Sequence, residues 1–331
     1  MNIPKHWEVK RVRLNIDERE AIYSVWGYSD GDPEVARQMI EEKIPTVIPK
    51  VEEAIRRSWA GDDSPDNQVH DSGWARYYHV DVIREQRLED LSRDGEEIAV
   101  ITRNSYGAKI INCPEVMFVD IDTDEEHWKS YPRVLGMSGG GCLAMLLGVG
   151  ALFGVGAGKD PKLESMKSEP EETSSRPALS QAKTEALARV KSYVDSNPGT
   201  GFRIYETLLG LRLIGTHQLY DPAGEASMEI FRALGCDDLY MRLCRVQKCF
   251  RARLTPKPWR IGCSTPHGRR PQPIPHPHDI SWLEGYEARS RGYQACRFME
   301  KTGLEAPDPV IEEVVRVHDE VCGVTAGLNL A

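Results

Sequence analysis

The chain has 331 residues, of which 40% are hydrophobic and 28% are charged, and its formal net charge is −9. This length and composition are typical of a globular protein with two domains, or of one domain with a large appendage. The acidic balance argues against a protein that wraps nucleic acid over its whole surface. A net charge says nothing, however, about local clusters of one sign.

Cysteine usage and the N-terminus indicate a cytoplasmic protein. The eight cysteines include no Cys-x-x-Cys pair, and the first residues, Met1 to Lys5, contain no apolar stretch of the secretory type. We therefore expect reduced thiols.

The first 95 residues predict an α+β region. A strand-like start with alternating Val9, Val12 and Leu14 is followed by a helix that opens at Asp32-Pro33, an N-cap residue and a proline at the first helical position. A second helix is predicted over residues 84–92. Two strands over residues 97–103 and 108–112 are then predicted to pair as a hairpin beside the next strand.

That next strand ends in two carboxylates. Val116 to Asp122 is an apolar run of β-formers in which Asp120 and Asp122 point to the same face, because side chains alternate along a strand. Like charges this close repel each other unless a cation neutralises them. Oxygen ligands suit Mg²⁺ or Mn²⁺, so the pair predicts a divalent metal site. The alternative is a strand that simply runs into an acidic turn.

Residues 134–158 contain no charge and nine glycines. The segment is long enough to cross a bilayer, but a span would separate Asp120 from the other candidate site residues. We therefore predict a glycine-rich loop leading into a short apolar helix, and membrane association is not expected. Residues 159–177, rich in Glu, Lys, Ser and Pro, are predicted to be a mobile linker.

The second half of the chain alternates helices with a hairpin. Two strands over residues 202–207 and 211–217 are joined by a tight turn at Leu208-Leu209-Gly210. Periodicity predicts helices over residues 178–194, 225–234, 281–301 and 309–321.

The hairpin carries polar side chains that suit a phosphate site. Arg203 and Thr207 lie on the first strand, and Arg212 and His217 lie on the second. Groups of this kind near a metal-bound triphosphate would orient the γ-phosphate and stabilise the leaving pyrophosphate.

A local reversal of charge follows. Between residues 239 and 278 there are nine Lys or Arg residues and no Asp or Glu. Arg251 and Arg253 share one strand face, and Lys257 lies in the proline-rich turn after them. Arginine suits bidentate phosphate contact, so this stretch predicts binding of nucleotide or nucleic acid. A solvated face, or arginines paired with carboxylates elsewhere, is the alternative.

Three segments together resemble the catalytic core of the archaeo-eukaryotic primase superfamily, the primase-polymerases. Phe118-Val119-Asp120-Ile121-Asp122 resembles its first motif. Thr207 with Gly210 and His217 resembles the second, and Cys249-Phe250-Arg251-Ala252-Arg253 resembles the late basic strand.

The resemblance implies a metal-dependent nucleotidyltransferase that acts on nucleoside triphosphates and on DNA or RNA. Asp120 and Asp122 would hold two metal ions, and His217 would contact the phosphates of the incoming nucleotide. Arg251 and Arg253 would face the nucleotide or the template. Three residues compete for the third carboxylate, with Asp238 taken as the catalytic one: Asp221, Asp237 and Asp238.

Two other functions fit parts of the pattern. Asp120-Ile121-Asp122-Thr123 also resembles the first motif of haloacid-dehalogenase-like phosphatases, in which Asp120 would be the nucleophile and Asp122 the general acid. Lys248 and Asp237-Asp238 would then supply the later lysine and acids. The third possibility is a non-enzymatic protein that binds nucleotides or nucleic acid through the basic stretch.

The predicted fold class is α+β, with a mostly antiparallel central sheet, flanking helices and a helical C-terminal tail. The resemblance adds an RRM-like primase-type core. The predicted divisions are an N-terminal region over residues 1–95, a catalytic-core-like domain over 96–270 and a helical region over 271–331.

Overall fold

A computed structural model describes residues 1–60, 81–123, 179–266, 277–306 and 308–331. The predicted glycine-rich segment, 134–158, and the predicted linker, 159–177, lie outside these ranges. None of the helices in the described ranges is long and apolar enough to span a membrane.

The N-terminal region begins with a hairpin and a long helix. Strands β1 (His6–Ile16) and β2 (Arg19–Ser29) pair antiparallel, and helix α1 covers Pro33–Trp59. Asp32 caps α1 by accepting a 2.8 Å hydrogen bond from the backbone N–H of Glu34. This confirms the predicted strand and the helix start. The helix packs on the hairpin through a small apolar cluster: Leu14, Ile16, Val51 and Ile55.

The next four strands are β3 (Gln86–Arg93), β4 (Glu96–Arg103), β5 (Lys109–Cys113) and β6 (Phe118–Asp122). The helix predicted over residues 84–92 is wrong, because β3 occupies that stretch. Its residues are good helix formers, but Asp94-Gly95 turns the chain with both φ angles positive, at 52° and 86°. Such a turn favours a hairpin, and pairing with β4 overrides helix propensity.

The central part of the chain follows the prediction closely. Helix α2 (Gln181–Ser196) precedes the hairpin of β7 (Gly201–Thr207) and β8 (Gly210–Gly215). Helices α3 (Glu225–Leu234) and α4 (Asp238–Gln247) then lead to β9 (Phe250–Arg253).

The C-terminal region is only partly helical. After a short 3₁₀ helix, Pro258–Ile261, it contains α5 (Pro277–Ser290), β10 (Tyr293–Gln294), β11 (Cys296–Gly303), α6 (Pro309–Cys322) and β12 (Asn329–Leu330). The helix predicted over residues 281–301 therefore ends early. Its second half is β11, because pairing with the free edge of β7 satisfies the backbone of both strands.

Two four-stranded antiparallel sheets form the centre of the molecule, with strand orders β3-β4-β5-β9 and β11-β7-β8-β6. The α+β class with antiparallel sheets is thereby confirmed, while the RRM-like core stays a prediction. The hairpin of β4 and β5 was wrongly placed beside the Asp120 strand, since β5 pairs with β9 and β6 pairs with β8. Both sheets take strands from either side of a predicted domain boundary.

One apolar core joins the two sheets and contacts the helices α2, α3, α4 and α6. The Tyr240 hydroxyl links the sheets directly, because it donates to the Phe118 carbonyl at 3.1 Å and accepts from the Arg251 N–H at 3.2 Å. The start of β6 and the start of β9 are thus linked although the two strands belong to different sheets.

Candidate functional site

Asp120 and Asp122 lie at the C-terminal end of β6, which is an edge strand. The alternating neighbours, Val119 before the pair and Ile121 within it, are fully buried on the opposite face. Asp120 is half-buried and Asp122 is exposed. The predicted common face of the two carboxylates agrees with the alternation along this strand.

Close packing of the backbone holds Asp122 in place. Asp122 pairs with Gly210 across β6 and β8, and a Cβ atom at Gly210 would lie 1.9 Å from the Ile121 carbonyl oxygen. Only glycine allows this approach. Thr123 then ends the strand by donating its N–H to the Leu209 carbonyl at 2.9 Å.

Within the part of the chain that the structure describes, a backbone hydrogen bond links Asp237 to this pair. Its N–H donates to the Asp120 carbonyl at 3.2 Å, and its side chain caps α4 by accepting from the Tyr240 N–H at 2.8 Å. Asp238, the predicted catalytic residue, is exposed one position further into the helix. Asp221 accepts from the Ala223 N–H in the turn before α3. The geometry therefore favours Asp237 over Asp238 as the third acid.

The negative charge of Asp237 contributes to the raised pKa of Asp122. Partial desolvation by the surrounding protein, followed by the charges of Asp120 and Asp237, raises the pKa of Asp122 to about 6. Two cations oppose this rise in the pKa, Lys257 and Arg260. Three acids and two cations therefore share one electrostatic environment.

The pKa of Lys257 is shifted by the same group of charges. Burial lowers its pKa to about 8, and the neighbouring Arg253 and Arg260 add to that effect. The carboxylates of Asp122 and Asp120 raise the pKa in part. A half-buried lysine beside two arginines is poised to accept an anion, because an added negative charge would relieve its repulsion.

The cations come from the turn that follows β9. Lys257 precedes the short 3₁₀ helix, Pro258–Ile261, on which Arg260 lies. Trp259, between them, is 45% exposed, and its ring contacts that of Tyr106 with the centroids 5.3 Å apart. An accessible aromatic ring thus lies next to the cationic side of the site.

His217 is not part of this site. It follows the far end of β8, where Gly215 hydrogen-bonds to Met117, whereas Asp122 lies beside the near end. Its Nδ1 lies 2.9 Å from the Gly201 carbonyl oxygen, and its Nε2 lies 2.6 Å from the Tyr220 hydroxyl. Burial lowers its pKa. Both ring nitrogens serve local structure, so the expected phosphate contact is not supported.

Arg251 is also occupied. It is buried, and its Nη2 donates to both carboxylate oxygens of the buried Glu85 at 2.7 Å, while Nη1 donates to Gln247. These buried partners, rather than an open cleft, surround the Arg251 guanidinium, so its contact with a nucleotide stays a prediction that this geometry does not support. Strand β9 also belongs to the other sheet, which corrects the prediction that it shares a sheet with Asp120.

The polar residues predicted on β7, the first strand of the hairpin, also make structural contacts. Arg203 donates to Asp319 at 2.5 Å and to the Tyr205 hydroxyl at 2.9 Å. Thr207 is buried, and its carbonyl accepts from Lys183 at 2.8 Å. Neither residue is placed against the carboxylates, which is contrary to the expected substrate contacts.

Arg212 and Arg253 border the site. Arg212 is buried opposite Asp120 in the register of β6 and β8, and it donates to the Arg253 carbonyl at 2.8 Å. Arg253 is half-buried and donates to the carbonyls of Thr255 and Ala331. Of the predicted residues, the structure brings together Asp120, Asp122, Arg253 and Lys257, with Arg212 adjoining them.

Sequence reasoning missed a second cluster, formed by Cys296, His318 and Cys322. Their ligand atoms all lie within 4.8 Å of one another, and all three residues are buried. Among the described residues this is the one group of three such donors that converges so tightly, so the three aspartates are more widely spaced. A His and a Cys four positions apart on a predicted helix, as at 318 and 322, were the available signal.

Comparison of the chain with protein-family models, with curated proteins and with solved structures found no match. Function is therefore inferred from the side chains of the site itself.

Proposed function

We propose that the protein is a metal-dependent nucleotidyltransferase of primase-polymerase type, acting on nucleoside triphosphates with Mg²⁺ or Mn²⁺. The observation that supports this proposal is the opposition of charges at the end of β6. Asp120 and Asp237 raise the pKa of Asp122, whereas Lys257 and Arg260 lower it, so acids and cations both act on this carboxylate. A metal-bound triphosphate needs both kinds of charge.

The spacing of the carboxylates suits a site that the substrate completes. Mg²⁺ commonly binds through one or two carboxylates together with waters and substrate phosphates, so a closed protein cage is not required. A bound divalent ion would neutralise charge on the phosphates and activate the attacking hydroxyl. Asp120 and Asp122 would hold that ion, and Asp237 would add negative charge beside it.

The cationic side would bind the phosphates that leave. With a pKa of about 8, Lys257 is mostly protonated at neutral pH and can donate to a phosphate oxygen. Arg260 would add a planar donor. The roles that the primase-like pattern gave to His217 and Arg251 thus pass to Lys257 and Arg260.

A nucleic-acid strand is the expected second substrate. Trp259 lies beside Lys257 with nearly half of its surface exposed. Stacking of a base on an exposed aromatic ring next to a positive charge is a common means of holding a single strand.

One observation favours a second candidate, a phosphatase that uses an aspartyl nucleophile. A pKa of about 6 would leave a fraction of Asp122 protonated near neutral pH, as a general acid requires, with Asp120 as the nucleophile. Lys248, the lysine first expected for this function, lies at the C-terminal end of α4, and Asp237 caps the opposite end. Lys257 would have to replace it.

The decisive experiment measures metal binding and products on the full chain. We expect Asp120→Asn with Asp122→Asn to abolish Mn²⁺ binding in calorimetry, because the two carboxylates are the proposed ligands. Asp238→Asn is the matched control and should bind Mn²⁺ like the unmodified chain, whereas Asp237→Asn should weaken binding. Asparagine also caps helices well, so α4 should be retained in the Asp237 variant.

The products separate the candidates. With Mn²⁺, a nucleoside triphosphate and a single-stranded template, a nucleotidyltransferase releases pyrophosphate and extends a strand. Release of inorganic phosphate would instead indicate the phosphatase. Unchanged Mn²⁺ affinity in the double variant, with nucleotide binding but no product, would leave a binding protein as the better description.

A further inference from the structure

The cluster of Cys296, His318 and Cys322 has the donor chemistry of a zinc site. Cys296 begins β11, and His318 and Cys322 lie one turn apart on α6. The Cys296 Sγ lies 3.7 Å from the His318 Nε2. Thiolate and imidazole are the ligands that Zn²⁺ prefers, whereas Mg²⁺ and Mn²⁺ prefer oxygen.

The neighbours of His318 hold its ring in the orientation that a metal ligand needs. Its Nδ1 lies 2.9 Å from Asp319 Oδ1, and that carboxylate also accepts from the Tyr205 hydroxyl at 2.7 Å and from Arg203 at 2.5 Å. Metal-binding histidines characteristically donate their second ring nitrogen to a carboxylate in this way. Nε2 is left pointing toward the two cysteines.

A second contact selects the same tautomer. Arg212 Nη1 lies 3.4 Å from His318 Nε2, and a guanidinium can only donate. With Nδ1 donating its proton to Asp319, Nε2 keeps the lone pair, which it directs to Arg212 in the metal-free chain and would direct to a metal ion once one is bound. This neutral form is the one that coordinates a metal.

The charges of the pocket also fit. Two thiolates balance Zn²⁺, and Arg212 Nη1 lies 3.9 Å from Cys296 Sγ, where it can donate to a bound thiolate. The arginine keeps its 2.8 Å bond to the Arg253 carbonyl in either case. Three protein ligands leave one position of the tetrahedron for a water molecule.

We propose that Cys296, His318 and Cys322 bind Zn²⁺ and thereby fasten α6 to β11, a strand of the sheet that carries Asp120. This site is separate from the carboxylate site and does not rest on the proposed nucleotidyltransferase activity. Its role is structural although the fourth position is left to water, because all three ligands are buried and a substrate could not reach that position.

The test begins with the full-length chain, stripped of metal under reducing conditions and reloaded with Zn²⁺. We expect about one tightly bound ion per chain by elemental analysis, and a higher melting temperature in the loaded protein. Cys322→Ala should abolish this binding. Cys244→Ala is the matched control, since Cys244 is equally buried but lies outside the cluster, and it should retain the ion.

A measurement on the unmodified chain covers the case in which Cys322→Ala fails to fold. X-ray absorption of the zinc-loaded protein should show two sulfur neighbours and at least one nitrogen. An all-oxygen and nitrogen environment would overturn the proposal, as would a folded, reduced chain that binds no Zn²⁺. A Cys296–Cys322 disulfide found by mass spectrometry in place of zinc binding would also overturn it.

The carboxylate site provides the independent control. The chain with Asp120→Asn and Asp122→Asn should keep its zinc while it loses Mn²⁺. Loss of both metals from that double variant would show that the zinc is held by the aspartates, which would contradict the assignment to the cysteines.

Discussion

Arg212 lies directly opposite Asp120 in the antiparallel register of β8 and β6. The same guanidinium reaches to 3.9 Å from Cys296 Sγ, so one side chain lies between the carboxylate site and the cysteine-histidine cluster. The negative charge of Asp120 and the 2.8 Å hydrogen bond to the Arg253 carbonyl both favour this buried guanidinium, which explains how it is tolerated in the core. Arg212 therefore borders both candidate sites.

The first prediction concerns the stability cost of the carboxylate pair without metal. Asp122 has a folded pKa of about 6, raised from 3.8 by partial desolvation and by its acidic neighbours. The folded state therefore binds the proton more tightly than the unfolded state, and stability falls as pH rises from about 4 to about 6. Asp122→Asn should raise the free energy of unfolding at pH 7 by about 1 kcal/mol, a modest gain because the exposed carboxylate is screened by water.

Urea unfolding at two pH values in the presence of a chelator measures this effect. At a pH below about 4 the variant and the unmodified chain should be equally stable, because Asp122 is then protonated in both states. A variant that is less stable at pH 7 would show that the Asp122 carboxylate makes favourable contacts, which would contradict the repulsion.

The second prediction separates structural from phosphate-binding cations. Arg251→Met removes the partner of the buried Glu85 and should lower the free energy of unfolding by about 3–5 kcal/mol. Lys257→Met is the matched variant. It should leave stability nearly unchanged, because Lys257 is already disfavoured by burial, but weaken binding of an Mn²⁺–nucleoside triphosphate complex.

Chemical denaturation and calorimetry on the two variants give both quantities. Full stability of the Arg251 variant combined with loss of nucleotide binding would return that arginine to the role expected from the primase-like pattern. Unaltered nucleotide affinity in the Lys257 variant would show that Lys257 does not bind the phosphates, which would contradict the proposed site.

The third prediction tests the close approach that positions Asp122. Gly210→Ala places a methyl group 1.9 Å from the Ile121 carbonyl oxygen, so the start of β8 or the end of β6 must move. We expect a loss of roughly 3 kcal/mol in the free energy of unfolding and weaker Mn²⁺ binding.

Gly199→Ala serves as its control, because a Cβ atom at Gly199 would meet nothing within 4 Å. That variant should change stability by no more than about 0.5 kcal/mol. A Gly210→Ala chain with the stability and Mn²⁺ affinity of the unmodified protein would show that the strand pairing adjusts freely.

The sequence by itself determined most elements and their local chemistry. Alternation and capping correctly predicted β1, α1, the β7–β8 hairpin and α3, because these signals act between residues a few positions apart. The same locality placed Asp120 and Asp122 at the end of a buried strand. Asp94-Gly95 was an equally local signal, and its hairpin preference was masked by the helix formers before it.

Only the tertiary structure decided which of the polar residues meet. Arg251 and Lys257 are six positions apart, yet one pairs with Glu85 in the core while the other acts on Asp122. Asp237 and Asp238 are adjacent, and the backbone bond to Asp120 distinguishes them. Cys296 meets His318 because β11 adds to the edge of β7. Long-range pairing and desolvation set these partners, and neither leaves a periodic trace in the chain.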